Sequence, residues 1–169
     1  MLAVGAAAEE GMLPALSPGV EVSLGGSFDR FSVEAFGVGY LDRDRAATER
    51  PDAGGRFSLR SFGVRGCAVL APGDLSFAAC AGGSTNHITA DGYGVEFPGE
   101  QATDVGALSL GVRVEVHLGE HAALRLDAGP SYVLGSASFV LTPANGTPLK
   151  VYDVTSFDAR GSLKLAWSF

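Results

Sequence analysis

The chain closes on residues Phe157 to Phe169, which read F-D-A-R-G-S-L-K-L-A-W-S-F. Phe157, Ala159, Gly161, Leu163, Leu165, Trp167 and Phe169 share one parity, and Asp158, Arg160, Ser162, Lys164, Ala166 and Ser168 the other. Strand side chains alternate faces with period two, so this segment predicts a strand with one apolar, aromatic face and one polar face carrying charges of both signs. In water, a long strand with Trp and Phe on its open face would template pairing with other chains. Against lipid that face is stable, and the stretch therefore points to a membrane crossing made by strands.

The rest of the composition agrees. With 169 residues, 46% of them apolar, the chain suits a single folded domain; 24 glycines and only 18% charged residues suit a β-rich fold with many tight turns. A net charge of -7 argues against a nucleic-acid partner, and no polybasic patch serves anionic headgroups. The longest uncharged run, Ala128 to Leu149, is interrupted by Pro130, Pro143, Pro148 and the pair Asn145-Gly146, which excludes a membrane helix. Spanning strands exist only as a closed barrel. The N-terminus, M-L-A-V-G-A-A-A-E-E, lacks the basic region of an intact signal peptide, so an export signal is expected to have been removed or to lie upstream of this numbering.

The closing segment resembles the C-terminal signal strand of bacterial outer-membrane β-barrels, through Gly161, Leu163, Leu165, Trp167 and Phe169. The resemblance implies that the barrel-assembly machinery reads this strand and that outer-membrane lipid, lipopolysaccharide or phospholipid, surrounds the protein.

Alternation along the chain predicts eight strands: Met1 to Glu10, Val20 to Phe28, Phe31 to Leu41, Arg56 to Leu70, Leu75 to Asn86, Ala107 to Leu118, Ala122 to Leu141 and Val151 to Phe169. The apolar parity slips within the third and fourth strands. In the third it passes from Phe31, Val33 and Ala35 to Phe36, Val38 and Tyr40, which suggests a bulge near Ala35 to Gly37. Connections alternate longer and short, with loops at Gly11 to Gly19, Asp42 to Gly55, His87 to Asp104 and Thr142 to Lys150. Even strand number, short turns on one side and longer loops on the other match small outer-membrane barrels, with both termini periplasmic. Two aromatic girdles are expected, Phe28, Phe31, Phe77, Trp167 and Phe169 at one end and Tyr40, Phe57, Phe139 and Tyr152 at the other. The organisation resembles the outer-membrane protein A and X class, an all-β, eight-stranded antiparallel up-and-down transmembrane barrel spanning residues 1 to 169.

The polar parity carries Glu21, Glu34, Glu115, Asp127 and Asp158 against Arg65, Arg113, Arg125, Arg160 and Lys164. A turn that sets Leu118 opposite Ala122 faces Glu115 with Arg125 and Arg113 with Asp127; sliding the register by two would instead oppose Arg113 and Arg125. Paired charges in an eight-stranded barrel, which is only wide enough for its own side chains, predict a self-neutralised plug rather than a charged passage. Cys67 and Cys80 both point inward across the turn at Ala71 to Asp74. A loop centred on Gly73-Asp74 makes them direct partners within disulfide range, and one on Pro72-Gly73 makes them diagonal.

No cofactor, metal or catalytic set is expected. Ser84, Asn86 and His87 at the loop end of the fifth strand are the one enzyme-like grouping, in a fold some of whose members act on lipid A, but Ser84 and His87 differ in parity. Asn145-Gly146-Thr147 reads as a hairpin turn before a glycosylation acceptor. The leading functional reading is a non-enzymatic membrane protein with surface-contacting loops. The rivals are a narrow or laterally opening channel, a lipid A enzyme and a soluble lipocalin-like barrel, which would line its inside with the apolar parity.

Overall fold

The computed structural model describes residues 1–48, 50–95, 99–141 and 149–169. The strands are β1 (Leu2–Glu10), β2 (Ser17–Phe28), β3 (Phe31–Tyr40), β4 (Arg43–Ala47), β5 (Arg50–Ala71), β6 (Leu75–Tyr93), β7 (Glu100–His117), β8 (Ala122–Leu134), β9 (Ser138–Leu141), β10 (Leu149–Asp153) and β11 (Phe157–Trp167). Eight of them form an antiparallel ring in the order β3-β2-β1-β11-β8-β7-β6-β5, closed by pairing of β3 with β5. The short β4 lies along the far end of β5, and β9 with β10 makes a separate two-stranded sheet.

Following rungs around the ring from Val105 leads through Asn86, Ser61, Val38, Glu21, Gly5, Lys164 and Arg125 to Glu115, ten residues further along β7 than the starting point. That stagger is the shear that tilts the strands and lets the barrel close. Both termini and the three short turns share one end. Asp29, in the two-residue turn between Phe28 and Phe31, takes φ 52°, a left-handed conformation that Asp tolerates better than most residues.

Near the short-turn end the barrel is apolar outside and polar inside. On β7, Leu108, Leu110, Val112 and Val116 are exposed, as is Leu118 just past its end, while Arg113 is buried; on β5, Phe62 and Val64 are exposed and Cys67 is buried. Toward the other end the pattern inverts. There β5 buries Phe57 and Leu59 and exposes Arg56 and Arg60, β6 buries Ile88 and Ala90 and exposes Asp91, and β7 buries Val105 and exposes Ala102 and Asp104. The apolar stripe from Leu108 to Leu118 suits the outward band of membrane barrels, about 25 Å tall. Beyond it β5, β6 and β7 continue as an ordinary water-facing sheet around an apolar core. Each large side chain fully buried there contributes about 1.5–3 kcal/mol, which holds the extension together outside lipid.

This inversion corrects three expectations. The register of β3 against both neighbours is unbroken, so no bulge sits at Ala35 to Gly37. The apolar parity changes because the interior turns from Glu34 to Val38 and Tyr40. The stretches 42–55 and 87–104 are largely strand, because a strand whose wet face is outward loses the apolar-out pattern without losing its period. In the second girdle, Tyr40, Phe57 and Phe139 are buried inside the barrel and Tyr152 packs against them. Among the described residues, the exposed aromatics toward that end are Phe62, Tyr93 and the edge-to-face pair Tyr132 and Phe157, 5.2 Å apart. The first girdle, Phe28, Phe31, Phe77, Trp167 and Phe169, is exposed as expected. Two boundaries also move: Gly135, at φ 109°, ends β8 and separates it from β9, and β10 and β11 are distinct. A soluble lipocalin-like barrel is ruled out by the exposed belt and charged interior of the short-turn half. Asn145-Gly146-Thr147 lies outside the described residues.

The belt assignment predicts that Val114→Arg lowers folding stability in bilayers by about 2–4 kcal/mol, the cost of a lipid-facing Arg near the midplane. Glu120→Arg in a short turn and Thr89→Arg on the wet extension should leave refolding yields near wild type, as read from heat-modifiable gel migration. Equal yields for Val114→Arg and Glu120→Arg would contradict the assignment of faces.

Candidate functional site

Inside the belt, all ten charged residues of the polar parity point inward. Arg113 and Asp127 are direct cross-strand partners, as are Glu115 and Arg125, so the first of the two registers is the one present. Arg113 Nε donates to Asp127 Oδ1 at 2.7 Å, and Arg125 Nε bonds Glu115. Arg65 donates to its cross-strand partner Glu34 at 2.7 Å and to Glu21 on the next strand at 2.8 Å, and across the lumen Arg113 also reaches Glu34. Lys164, fully buried, bridges Glu21 at 2.6 Å and Asp127 at 2.7 Å. Glu21, Glu34 and Asp127 each serve several cations, and with the Glu115–Arg125 pair they fill the lumen.

A second polar layer lies between this plug and the apolar core. Arg160 donates to Asp158 at 2.7 Å and to Asn86 Oδ1 at 2.8 Å, Ser61 donates to Asn86 at 2.6 Å, and Arg160 touches Met12 Sδ at 3.1 Å. Glu9, fully buried, accepts from the Met12 backbone N–H. Sequence reading missed Glu9, Ser61 and Met12. In an alanine-rich first strand, Ala3 and Ala7 say little about which parity is inward, and Met12 lies in what reads as a plain loop. A cavity of about 60 Å³ remains beside this layer, lined by Tyr40, Arg65, Ser109, Asp127, Ser131 and Arg160 among others. It has space for a few waters and not for a continuous passage.

The loop-end half is sealed by apolar groups. Val38, Tyr40, Phe57, Leu59, Ile88, Val105, Ala107 and Val133 form the wall, Met12 and Leu13 fill it from the β1–β2 connection, and Phe139, Val151 and Tyr152 fill it from β9 and β10. Phe57 meets Phe139 edge-on at 5.3 Å and Tyr152 at 5.6 Å. The Tyr152 hydroxyl donates to the Gly11 carbonyl at 2.7 Å and lies 3.1 Å from that of Leu13.

Cys67 and Cys80 are direct cross-strand partners and form a buried disulfide, with Cα atoms 4.1 Å apart. The strands are already paired there, so the bridge pins hairpin register more than it adds loop-closure stability. Of the enzyme-like trio, Ser84 and Asn86 face the lumen, where Asn86 Nδ2 donates to Ser84 Oγ at 3.3 Å. His87 faces outward and bonds Asp104 at 2.8 Å. The pairing of β6 with both neighbours runs unbroken through this stretch, so Ser84 and His87 stay on opposite faces and do not meet. Gly161, Leu163, Leu165 and Trp167 lie along the outer face of β11, with Phe169 exposed beyond it.

No protein-family model matches the chain, and no curated protein matches it. Solved structures do. A major outer membrane protein from Thermus thermophilus aligns with TM-score 0.69 at 14% identity, covering 99% of this chain and 98% of that one. Neisserial surface protein A aligns with TM-score 0.64 at 15% identity, covering 99% and 96%. Ail, the attachment invasion locus protein of Yersinia pestis, aligns with TM-score 0.56 at 12% identity, again over 99% and 96%. The chain thus has the fold of the eight-stranded outer-membrane barrels.

The shared carboxylate makes the network sensitive to single losses. Glu34→Ala, which removes the carboxylate that Arg65 and Arg113 share and leaves the buried cluster with excess positive charge, should destabilise by about 3–5 kcal/mol in denaturant unfolding from lipid vesicles. The pair at the edge of the network behaves differently: the double variant Glu115→Leu with Arg125→Met should cost less than Glu115→Leu alone. A double variant as damaging as the sum of its singles would show that the two side chains act independently.

Proposed function

We propose that this chain is an integral outer-membrane protein that spans the bilayer as a sealed barrel and displays the extended ends of β5, β6 and β7, with β4, as a contact surface outside the cell. The observation that carries this reading is the double seal, charges below and apolar groups above, combined with a strand extension whose outer face is wet. A pore would need one interior surface continuous from end to end. Here the interior changes chemistry halfway and is filled in both halves. Three strands prolonged beyond the lipid belt serve no transport purpose, whereas a rigid sheet held clear of the headgroups is a scaffold for surface contact.

In this reading both termini and the short turns are periplasmic, the apolar belt contacts lipopolysaccharide and phospholipid, and the Gly161 to Phe169 strand is recognised by the barrel-assembly machinery. Neighbours named for attachment and for the cell surface support a contact role over a catalytic one, as does the separation of His87 from Ser84.

Two measurements test it. Planar-bilayer recordings should show no stable large conductance, and persistent porin-sized openings would overturn the sealed barrel. Because both native cysteines are in the disulfide, a single cysteine at Thr89 should react with an impermeant maleimide on intact cells, and one at Glu120 only after the outer membrane is permeabilised. The reverse pattern would invert the orientation.

A further inference from the structure

The strand extension begins where the outward face leaves lipid, and the first charged rung of that face is chemistry the sealed barrel does not use. Phe62 is the last large apolar residue on the outer side of β5, with Thr85 and Gly106 beside it on β6 and β7. Two residues further on, the rung reads Gly39, Arg60, His87 and Asp104 across β3, β5, β6 and β7. Ser58 and Thr89 form the next rung, their hydroxyls 2.6 Å apart. Two residues along a tilted strand lift a side chain by about 5 Å, so Arg60 stands in the headgroup layer directly above a lipid-facing ring.

Arg60 is exposed and makes no ion pair among the described residues, whereas Arg56, the next arginine on the same face, is held by Asp44 at 3.0 Å. Its β3 flank is open. Gly39 stands there, and a Cβ added to it would meet nothing within 4 Å, so an anion can approach the guanidinium from that side. On the β6 flank, His87 donates from Nδ1 to the Asp104 carboxylate at 2.8 Å, which fixes the ring and its tautomer and leaves Nε2 for another partner. Directly paired residues on one face have Cβ atoms about 4.5–5.5 Å apart, so one oxyanion can touch Arg60 and His87 together.

We infer that Arg60 and His87 form a binding site for the phosphate monoester head of a bilayer lipid, with Asp104 orienting the imidazole. The guanidinium takes two phosphate oxygens as a bidentate pair. The third faces Nε2, an acceptor in the neutral ring; a monoester, whose second ionisation lies at about pH 6, carries the proton this contact shares, and a diester has none. The source is a lipid rather than a soluble phosphate, because Phe62, 62% exposed, opens the apolar surface immediately below and with Val64 offers it to acyl chains. The site depends on the outer-membrane reading for its supply of lipid, and it anchors the contact surface at the height where that surface leaves the bilayer.

The test uses the full chain in phosphatidylcholine nanodiscs with increasing fractions of dimyristoyl phosphatidic acid, read by the imidazole Cε1–Hε1 NMR resonances. His87 should shift saturably. His117 and His121, at the short-turn end, should follow only the bulk surface charge. Phosphatidylglycerol, a diester, should at matched surface charge move His87 no more than it moves the other two. Arg60→Gln should weaken the phosphatidic acid response about tenfold, the worth of one charge-assisted pair, while Arg56→Gln, with the same loss of charge, should leave it unchanged. Inorganic phosphate added to plain phosphatidylcholine nanodiscs should give no saturable shift. Equal responses to the two anionic lipids, equal responses of the two arginine variants, or saturation by inorganic phosphate alone would overturn the proposal. Heat-modifiable migration of the same samples reports barrel insertion separately, so an inserted barrel without the His87 response counts against the site and leaves the outer-membrane reading untouched, whereas a chain that fails to insert counts against both.

Discussion

Every backbone N–H and C=O exposed to hydrocarbon must find a partner within the protein, and a ring of strands closed with a stagger of ten residues satisfies that demand. Closure fixes the radius, and the radius fixes what the interior can contain. In eight strands the lumen admits side chains and a few waters, so the polar parity cannot be a hydrated channel wall. It must be a solid. A solid made of Arg, Lys, Glu and Asp is tolerable only when each charge is met, which is why Glu34 serves Arg65 and Arg113 at once and Lys164 lies between Glu21 and Asp127.

The same ring passes through two solvents. Within lipid, the outward parity must be apolar and the inside can be charged. Above lipid, the outside must be wet and the barrel regains stability in the ordinary way, by burying Phe57, Leu59 and Ile88. Between the two lie Asn86, Ser61, Arg160, Asp158 and Glu9, a polar seam that reaches Met12 on its apolar side. The protein therefore joins a membrane barrel to a soluble one along continuous strands, and its sealed interior and outward sheet both follow from that junction.

The membrane half was legible from residues alone, because period-two alternation with lipid outside is unambiguous in Ala107 to Leu118 and in the closing strand. Turn length narrowed Glu115–Arg125 and Cys67–Cys80 to two registers each, and the structure has the direct pairing in both cases. The water-facing half was not legible by the same rule. There Phe57, Val38 and Tyr40 look like a phase slip, and Tyr40, Phe57 and Phe139 look like a girdle, because the side chains keep their alternation while the solvent outside changes. Glu9 escaped notice for another reason: a strand of Ala and Gly carries almost no hydrophobic contrast between its faces.

Lipid ends where the pattern inverts. Nitroxide labels placed one at a time on the outward face of β7, at positions 102, 104, 106, 108, 110, 112, 114 and 116, and read by power saturation in bilayers, measure that boundary directly. High oxygen accessibility is expected from 108 to 116, with a switch to water-borne relaxant at 104 and 102. Oxygen accessibility that stays high through 102, or water contact at 110 and 112, would contradict it.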